Sequence, residues 1–518
     1  MWLWTALSVA AAALLFLLRL NAATTATTSR RLPPGPPGWP VVGNLFDLAG
    51  TMPHQSLACL GRKYGPLIWL RLGSINTLII SSAESAMEMF KNHDHSFCNR
   101  HVLEVTKIGD TYDAGSVTFA QYGPYWRMLK RLYLTELFSR KRINDTAHLR
   151  RRCVDQLIKW ISDEANSNET AGSTSGVEVA RFVFATSFNL IGNLVLSKDL
   201  VDPKSIKAND FFDLTSDIAQ LTTTPNIADF FPALRWLDPQ RLKKKMEKTQ
   251  TLVLEIVDSF VEERHRMDMD MNKNYKKKDK DILDMLMEFE GNGKDEPAKI
   301  SGLSVNVLIL ELFMGATEST NSTIEWAMTE LLRKPEAMKK VRAEIAQVVG
   351  HDRKLEESDI EDLPYLRAVI KETFRLHPPG PLLAPRSVIK DTELMGYLIP
   401  KDTLVLVNVW GIGRDSASWD DPLSFKPERF LGSNVDYRGQ NFELLPFGAG
   451  RRMCPGIPLA QQMLHLVLGS LLQSFEWVLE NGLTPETIDV GEKMGIAMRK
   501  AIPLKAIPKA LAPCTSLL

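Results

Sequence analysis

A cysteine near the carboxyl end lies in surroundings that favour metal binding. Cys454 belongs to the sequence PFGAGRRMCPG, residues 446–456, which also contains Phe447, Arg452 and Gly456. Glycines let backbone N–H groups come close to a sulfur, and the apolar run that follows predicts a helix whose amino end lies beside it. Both features favour the thiolate, the form of cysteine that binds metals. The segment therefore predicts a metal-binding thiolate, with a buried structural cysteine in a turn as the alternative.

The spacing F-x-x-G-x-R-x-C-x-G resembles the cysteine loop of the cytochrome P450 family, the haem-thiolate monooxygenases, and the resemblance extends over nearly the whole chain. It implies a mainly α fold with small β-sheets in a single large domain. It also implies that Cys454 binds the iron of haem, where a thiolate donates electron density to the metal and favours cleavage of the O–O bond. Phe447 and Gly456 would then line the cofactor, and Arg452 would meet a haem propionate.

A carboxylate and an arginine lie three residues apart in KETFRLHPP, residues 371–379. This spacing places Glu372 and Arg375 on one helix face, where their side chains can meet. A solvated ion pair of little energetic weight is the alternative. The family resemblance adds Arg429, in FKPERF, and implies a buried structural network beneath the cysteine loop. Loss of such a network would release haem, because it leaves an uncompensated buried charge.

A third motif, FMGATESTNSTIEW, lies inside a long apolar run. Gly315 and Ala316 are small enough to let a helix pass over a haem face and leave room for dioxygen. Glu318 and Ser319, followed by Thr320, resemble the family's pair of an acid and an alcohol, which implies a relay of protons to the distal oxygen. Serine stands where threonine is usual, so the hydroxyl is kept and the χ1 stiffness is lost. A merely polar helix face is the alternative.

Basic residues elsewhere are candidates for contacts with the haem propionates. YGPYWRMLKR resembles the family's W-x-x-x-R helix, in which Trp126 and the basic residue four positions later, here Lys130, hold a propionate. Lysine lacks the bidentate fork of arginine, so Arg127 and Arg131 remain alternatives. Arg386, in LLAPRSV, occupies the position of a further propionate partner in relatives. Basic residues that are only solvated would be the competing explanation.

The elements that must position these residues are mostly helices. LIWLRLG and NTLIISS, which start at Leu67 and Asn76, predict short strands. Residues 303–332 predict one helix of about 45 Å that crosses the whole body. The charged stretch 273–281 predicts a solvated loop. No clean linker divides the remainder, so residues 45–518 are predicted to form one catalytic domain.

The first part of the chain predicts a membrane anchor, residues 1–20. Residues 2–18 carry no charged side chain, and three arginines follow them before residue 32. This length is at the short end for a membrane-spanning helix, and the basic residues behind it place the body in the cytosol. A cleaved secretory signal is the alternative. Residues 21–44 contain the Pro-rich sequence LPPGPPGWPVVGN and predict a stiff linker.

Composition limits the function and the partners. The chain has 518 residues, and its 62 basic residues balance its 62 acidic ones, which argues against binding of nucleic acid through phosphates. Five cysteines without a C-x-x-C spacing predict neither a disulfide framework nor structural zinc. The sequence shows no G-x-G-x-x-G unit for a nicotinamide cofactor and no flavin domain, so electrons would come from a separate NADPH-cytochrome P450 reductase. Arg451 is a candidate docking contact for this partner.

The resemblance also bears on the substrate and the location. Segments such as NLIGNLVLSKDLVDP and TIEWAMTELL are similar to plant microsomal members, in the clade of the geraniol and iridoid hydroxylases. They imply a hydrophobic terpenoid substrate, with a phenylpropanoid or flavonoid as the alternative, and an enzyme of the endoplasmic reticulum membrane whose catalytic domain faces the cytosol. A haem-thiolate isomerase or dehydratase and a non-enzymatic haem sensor are the other hypotheses. The pair Glu318 and Ser319 argues against the isomerase, which needs no proton relay.

By the same resemblance, the substrate would be enclosed by five apolar segments near residues 100–121, 205–233, 306–316, 379–385 and 494–498.

Overall fold

The computed structural model describes residues 32–50, 52–107, 115–170, 175–203, 210–270, 280–294, 296–350, 352–480 and 482–511. The predicted anchor, residues 1–20, and the first part of the predicted linker, residues 21–31, lie outside the described residues. Most of the predicted charged loop lies outside them as well.

Helices make up most of the described chain, as the sequence predicts. The α-helices are α1 (Pro53–Tyr64), α2 (Ala83–Met87), α3 (Pro124–Leu132), α4 (Arg140–Asp145), α5 (Ala147–Thr170), α6 (Val179–Leu196), α7 (Asp210–Thr223), α8 (Ile227–Phe230), α9 (Leu242–Asp270), α10 (Ile282–Met287), α11 (Gly302–Arg333), α12 (Pro335–Val348), α13 (Pro364–Leu376), α14 (Val409–Ile412) and α15 (Ile457–Ser474). Helices α2 and α3 continue as π-helical turns over Glu88–Asn92 and Tyr133–Leu137.

The strands are short and form small sheets. They are β1 (Leu67–Leu72), β2 (Ile75–Ile80), β3 (Asn99–Arg100), β4 (Val177–Glu178), β5 (Arg386–Ser387), β6 (Thr392–Leu394), β7 (Tyr397–Ile399), β8 (Leu404–Val407), β9 (Phe475–Leu479), β10 (Glu492–Lys493), β11 (Arg499–Lys500) and β12 (Lys505–Ala510). The largest sheet has the order β1-β2-β8-β5-β3, and the others are β4-β12-β9, β10-β11 and β6-β7. Strands β1 and β2 confirm the two strands predicted from the sequence.

Helix α11 runs through the middle of the main hydrophobic core and confirms the predicted long helix. The hydroxyl of Ser301 caps its amino end by accepting a hydrogen bond from the N–H of Ser304 at 3.1 Å. Most of its side chains are buried, and it packs against α6, α13 and α15. The fold is therefore mainly α with small β-sheets, as predicted.

Helix α6 is a core helix. Among the described residues it is the one helix long and apolar enough to cross a membrane, with a mean hydropathy of 1.5, yet 89% of it is buried inside the protein. Its apolar side chains face α5 and α11. The hydropathy of this helix therefore reflects packing in the protein interior.

The second half of the predicted linker packs on the catalytic domain. The backbone N–H of Trp69, on β1, donates to the carbonyl of Pro34 at 2.8 Å, and the N–H of Asn44 donates to the carbonyl of Arg71 at 2.6 Å. A Cβ on Gly35 would lie 2.0 Å from the carbonyl oxygen of Trp69, so the segment runs directly along the strand. This part of the predicted linker therefore lies against strand β1.

Candidate functional site

The cysteine loop, residues 446–456, ends where α15 begins. The backbone N–H of Cys454 donates to the carbonyl of Phe447 at 3.0 Å, which closes the loop around the sulfur. Gly448 and Gly450 have φ values of +67° and +68°, in the left-handed region that glycine adopts readily. The glycines predicted to shape this loop therefore do so through their backbone conformation.

The sulfur of Cys454 is partly buried beside the amino end of α15. Burial raises the pKa of the Cys454 thiol, while the N–H of Gly456 and the charge of Lys130 lower it. The expectation that backbone amides favour the thiolate holds for Gly456, but burial is the larger effect. A thiolate at this position needs a stronger positive partner, and a metal ion is one that deprotonates a coordinating thiol.

Asp94 fastens the cysteine loop to the residues before β3. Its Oδ2 accepts hydrogen bonds from the backbone N–H of Arg451 at 3.0 Å and from Nη1 of the same residue at 2.8 Å. Its Oδ1 accepts a longer bond from Arg386 at 3.4 Å. A Cβ on Gly450 would lie 2.2 Å from Oδ1, so a larger residue would displace the carboxylate. The sequence analysis missed Asp94, because it meets a segment 357 residues away.

Arg100 joins the basic residues predicted for the haem propionates, although the sequence analysis did not assign it to the cofactor. Strands β3 and β5 pair so that Arg100 lies directly opposite Arg386. Like charges at opposed positions of neighbouring strands are destabilising. Burial, followed by the charges of Arg386 and Arg452, lowers the pKa of Arg100. This juxtaposition depends on the pairing of two very short strands, for which the sequence gives no local pattern.

Arg452 lies in the same cluster and makes its hydrogen bonds to backbone carbonyls. Its Nε donates to the carbonyl of Cys98 at 2.8 Å, and its Nη2 donates to that of Ala120 at 2.6 Å. Its guanidinium lies over the ring of Trp126, 4.1 Å from the centroid. Burial lowers the pKa of Arg452 to about 10. Trp126 and Arg452, two of the residues predicted for the haem edge, are therefore in direct contact.

Of the three basic residues considered on α3, Lys130 reaches the cysteine loop. Its Nζ donates to the carbonyl of Met453, and burial lowers its pKa to about 8. Arg127 is exposed, and Arg131 forms an ion pair with Glu296 at 2.7 Å. The structure therefore favours Lys130 over its two alternatives.

The middle of α11 has an open face. Gly315 is exposed, and Ala316 and Ser319 are partly exposed, although the helix is buried before and after them. A Cβ added to Gly315 would meet no atom within 4 Å. Because these positions lie on one side of a helix that crosses the core, their exposure marks an internal space. The hydroxyl of Ser319 donates to the carbonyl of Gly315 at 2.8 Å.

Glu318 lies next to this open face and is only 4% exposed. Its Oε2 is 3.3 Å from Nε of Arg499, on β11, but accepts no hydrogen bond within the described part of the chain. Burial raises the pKa of Glu318, and the charge of Arg499 lowers it. A buried carboxyl group of this kind is suited to hold and release a proton. Thr320, the third residue predicted for the relay, is also buried.

Glu372, Arg375 and Arg429 meet in the interior. Arg375 binds the carboxylate of Glu372 with two hydrogen bonds of 2.7 Å, and Nε of Arg429 donates to the same carboxylate at 3.1 Å. Glu372 and Arg375 are 0% and 1% exposed, so they are not a solvated helix pair. Phe374, between them on α13, contacts the ring of Phe447 edge-on at 5.1 Å between centroids. This contact joins the network to the cysteine loop.

The haem that the cysteine loop implies fits the side chains around it. Arg100, Lys130 and Arg452 have no carboxylate within ion-pair distance among the described residues, and their hydrogen bonds go to carbonyls. Arg452 is buried and the other two are partly buried. Cations in such positions without a counter-charge are costly, and the two propionates of haem would supply negative charge. Within the described segments, no cluster of three or more His, Cys, Asp or Glu side chains could bind a metal. A single thiolate and a porphyrin fit this donor set.

Comparison with known proteins agrees with this geometry. The chain matches the family described as Cytochrome P450 over residues 33–505. It is 49% identical over 498 residues to an iridoid oxidase of Catharanthus roseus, covering 96% of each chain. It is 43% identical over 500 residues to a geraniol 8-hydroxylase of the same organism, covering 96% of this chain and 98% of the relative.

The fold is also that of a solved relative. A structure of a zebra fish cytochrome P450 with progesterone matches this chain with a TM-score of 0.72 at 26% sequence identity, covering 89% of this chain and 100% of the other. The chain therefore belongs to the cytochrome P450 family, and it is a monooxygenase that uses haem and receives its electrons from a reductase.

Proposed function

We propose that the sulfur of Cys454 would bind the haem iron and that Arg100, Lys130, Arg386 and Arg452 would bind the propionates. The observation that supports this assignment most strongly is the gathering of these cations beside the loop that holds the sulfur. Three of them have no carboxylate partner among the described residues, and the fourth shares Asp94 with the loop. The two carboxylates of haem would give this cluster of cations the anionic partners that it lacks.

Three further residues position this binding site. Trp126 donates from Nε1 to the carbonyl of Val117 at 3.0 Å and packs against the guanidinium of Arg452. Phe447 and Gly456 shape the loop on either side of the sulfur. The buried network of Glu372, Arg375 and Arg429 holds α13 and the segment at residues 427–430 together beneath the loop, which is a structural role.

When bound, haem activates dioxygen and delivers one oxygen atom to an apolar substrate. The chain itself supplies protons and excludes water. Burial raises the pKa of the Glu318 carboxyl group and so favours its protonated form. The hydroxyl of Ser319 lies next along the helix on the open face, where it can pass a proton on. The hydroxyl of Thr320 is the second alcohol of this relay. Arg499, which is partly exposed, lies between Glu318 and the surface.

The substrate we propose is a terpenoid, of the monoterpene or iridoid class, in plant secondary metabolism. The relatives named as an iridoid oxidase and a geraniol 8-hydroxylase support this class, since each is similar to this chain over nearly its full length. An internal space beside small residues suits a compact apolar molecule. A phenylpropanoid or flavonoid remains the alternative that the substrate test must include.

The location follows from the predicted anchor. We propose a single-pass protein of the endoplasmic reticulum, with residues 1–20 in the lipid and the catalytic domain in the cytosol. NADPH-cytochrome P450 reductase is the proposed electron donor. Arg451, which is exposed but paired with Asp94, is a candidate contact for it.

A carbon monoxide difference spectrum tests the ligand assignment. The reduced protein should show the red-shifted absorption of a thiolate-bound haem, and Cys454→Ser should lose it. The matched control is Cys59→Ser, because Cys59 is an exposed free cysteine. A Cys454→Ser protein that retained the red-shifted band would overturn the assignment.

Turnover in microsomes with reductase and NADPH tests the substrate class. The panel should contain monoterpene alcohols, iridoids, diterpenes and flavonoids. Hydroxylated products from the monoterpene alcohols or iridoids are expected. Products from the flavonoids alone would replace the terpenoid proposal with its alternative.

A further inference from the structure

A carboxylate on α11 that the chemistry above does not use binds the loop before α3. Oε1 of Glu311 accepts hydrogen bonds from the hydroxyl of Ser116 at 2.7 Å and from the N–H of Thr118 at 3.2 Å. Its Oε2 accepts one from the N–H of Val117 at 2.8 Å. The hydroxyl of Ser116 in turn accepts from the N–H of Phe119 at 2.7 Å. We call residues 116–120 the clamp loop.

The opposite side of the clamp loop is bound by the cations of the haem site. Nε of Arg100 donates to the carbonyl of Thr118 at 2.9 Å, and Nη2 of Arg452 donates to the carbonyl of Ala120 at 2.6 Å. Thr118 is therefore held from both sides, because its N–H donates to Glu311 and its carbonyl accepts from Arg100. A loop held in this way spans the gap between the propionate-binding cations and α11.

The position of Glu311 relates the clamp loop to the internal space. Glu311 precedes Gly315 by four residues, so both lie on nearly the same side of the helix. Val117 and Phe119 are partly exposed, and Thr118 is exposed. The clamp loop therefore lies on the same side of α11 as the open face, where it can form a wall of the internal space.

The charge of Glu311 is costly to keep here. Burial raises the pKa of this carboxyl group, and the hydrogen bonds from Ser116, Val117 and Thr118 lower it. Several donors hydrogen-bond to this carboxylate, and a buried N–H that loses its acceptor destabilises the fold. The donors that depend on Glu311 all belong to the clamp loop.

We propose that Glu311 is a positioning residue that fixes the clamp loop against α11 and so sets the width of the substrate cavity. The inference rests on the proposed function, because it assigns the internal space to the substrate. The clamp loop would then connect the wall of the cavity to Arg100 and Arg452, the cations proposed to bind the propionates. Substrate affinity and position would then depend on a residue that carries no chemistry itself.

Hydrogen exchange of Glu311→Gln tests the contact without any turnover. An amide offers one acceptor oxygen where the carboxylate offers two, so at least one clamp-loop N–H loses its partner. Exchange in peptides that cover residues 115–121 should become about tenfold faster. The matched control is Glu325→Gln, since Glu325 is a buried carboxylate on the same helix that accepts from the N–H of Leu504 at 2.8 Å. In that variant the clamp loop should exchange as in the wild type.

Binding of 4-phenylimidazole, which ligates haem iron from the open side, tests the effect on the cavity. Its dissociation constant, followed by the shift of the haem absorption, should rise about fivefold in Glu311→Gln and stay unchanged in Glu325→Gln. The carbon monoxide spectrum of both variants should match the wild type. A missing thiolate band in the wild type itself would instead be a failure of the proposed function.

Two results would overturn the inference. Unchanged exchange of the clamp loop in Glu311→Gln would show that the carboxylate does not hold it. Faster exchange with an unchanged azole affinity would show that the clamp loop does not shape the cavity. Should Glu311→Gln not fold, Ser116→Ala removes one donor and keeps the backbone bonds, so a smaller change of the same sign is expected and its absence counts equally against the inference.

Discussion

Glu372 and Glu318 are both buried carboxylates on helices of the haem site, and they differ in how completely they are paired. Glu372 accepts hydrogen bonds from Arg375, Arg429 and the backbone N–H of Lys426. Glu318 has Arg499 near one oxygen and no hydrogen bond to it within the described residues. The first carboxylate lies beneath the cysteine loop, and the second lies beside the open face of α11.

This difference separates a scaffold from a reactive group. Buried polar groups are normally hydrogen-bonded, so an exception in a native structure needs an explanation. The fully paired carboxylate of Glu372 is held in position by its partners. Glu318 has an oxygen without a hydrogen bond within the described residues, and burial raises its pKa. We therefore expect mutations at Glu372 to lower the haem content of the protein. Mutations at Glu318 should instead lower product formation by protein that keeps its haem.

The largest effect is expected for Glu372→Ala. The change leaves the guanidinium of Arg375 buried without its counter-charge, which costs about 3–5 kcal/mol. Thermal unfolding should occur at a much lower temperature, and the thiolate band in the carbon monoxide spectrum should be absent from the purified protein.

An exposed pair provides the control for this variant. Lys280 and Glu288 form an ion pair whose two side chains are both more than half exposed, and Glu288→Ala should cost no more than about 1 kcal/mol. Arg429→Ala should be intermediate, because Arg429 donates one bond to Glu372 where Arg375 donates two. Equal losses in all three variants would mean that burial does not distinguish the network.

The scaffold is also the part of the site that sequence reasoning found best. Glu372 and Arg375 are three residues apart, and the cysteine loop is a single continuous segment, so local spacing predicted which residues would meet. The same is true of α11 and of strands β1 and β2, whose apolar patterns are continuous.

Contacts between residues that are far apart in the sequence could not be predicted from local spacing. Arg100 lies opposite Arg386 through the β3–β5 pair, and Asp94 and Arg499 each contact a partner far away in the sequence. Each of these is a single charged residue in an otherwise ordinary segment. The packing of the Pro-rich segment along β1 was missed for the same reason, because proline content predicts stiffness but not what the segment lies against.

A smaller effect, on turnover alone, is expected for Glu318→Gln. The amide preserves shape but cannot supply a proton, so product formation should fall by about 10²-fold while haem content and unfolding temperature stay at wild-type values. Product and hydrogen peroxide measured per NADPH consumed would show this as uncoupling. Glu325→Gln, a buried carboxylate on the same helix, should leave coupling unchanged. Loss of haem from Glu318→Gln would make this carboxylate part of the scaffold and remove the contrast with Glu372.

Arg499 allows the protonation of Glu318 to be shifted without touching the acid. Burial raises the pKa of Glu318 and the charge of Arg499 lowers it, so Arg499→Met should raise it further. A higher pKa keeps the carboxyl group protonated to higher pH, and the alkaline fall in coupled product formation should move upward in pH. Arg499→Lys keeps the charge and should remain near the wild-type profile. Glu318→Gln should lack this fall, and a profile that is the same in all four proteins would exclude Glu318 as the proton donor.

The smallest effect is expected at Ser319, where the chain departs from the family's usual threonine. The Ser319 hydroxyl bonds the carbonyl of Gly315 at 2.8 Å, and Thr323 makes the same bond to the carbonyl of Ser319 at 2.8 Å, so a threonine can adopt this geometry on α11. Ser319→Thr adds a methyl group on the open face and stiffens χ1, which should lower the peroxide fraction by roughly twofold. Ser319→Ala removes the hydroxyl and should raise it. Because neither change touches a buried charge, both proteins should keep full haem content, and an unchanged peroxide fraction in both would place the relay on Thr320 instead.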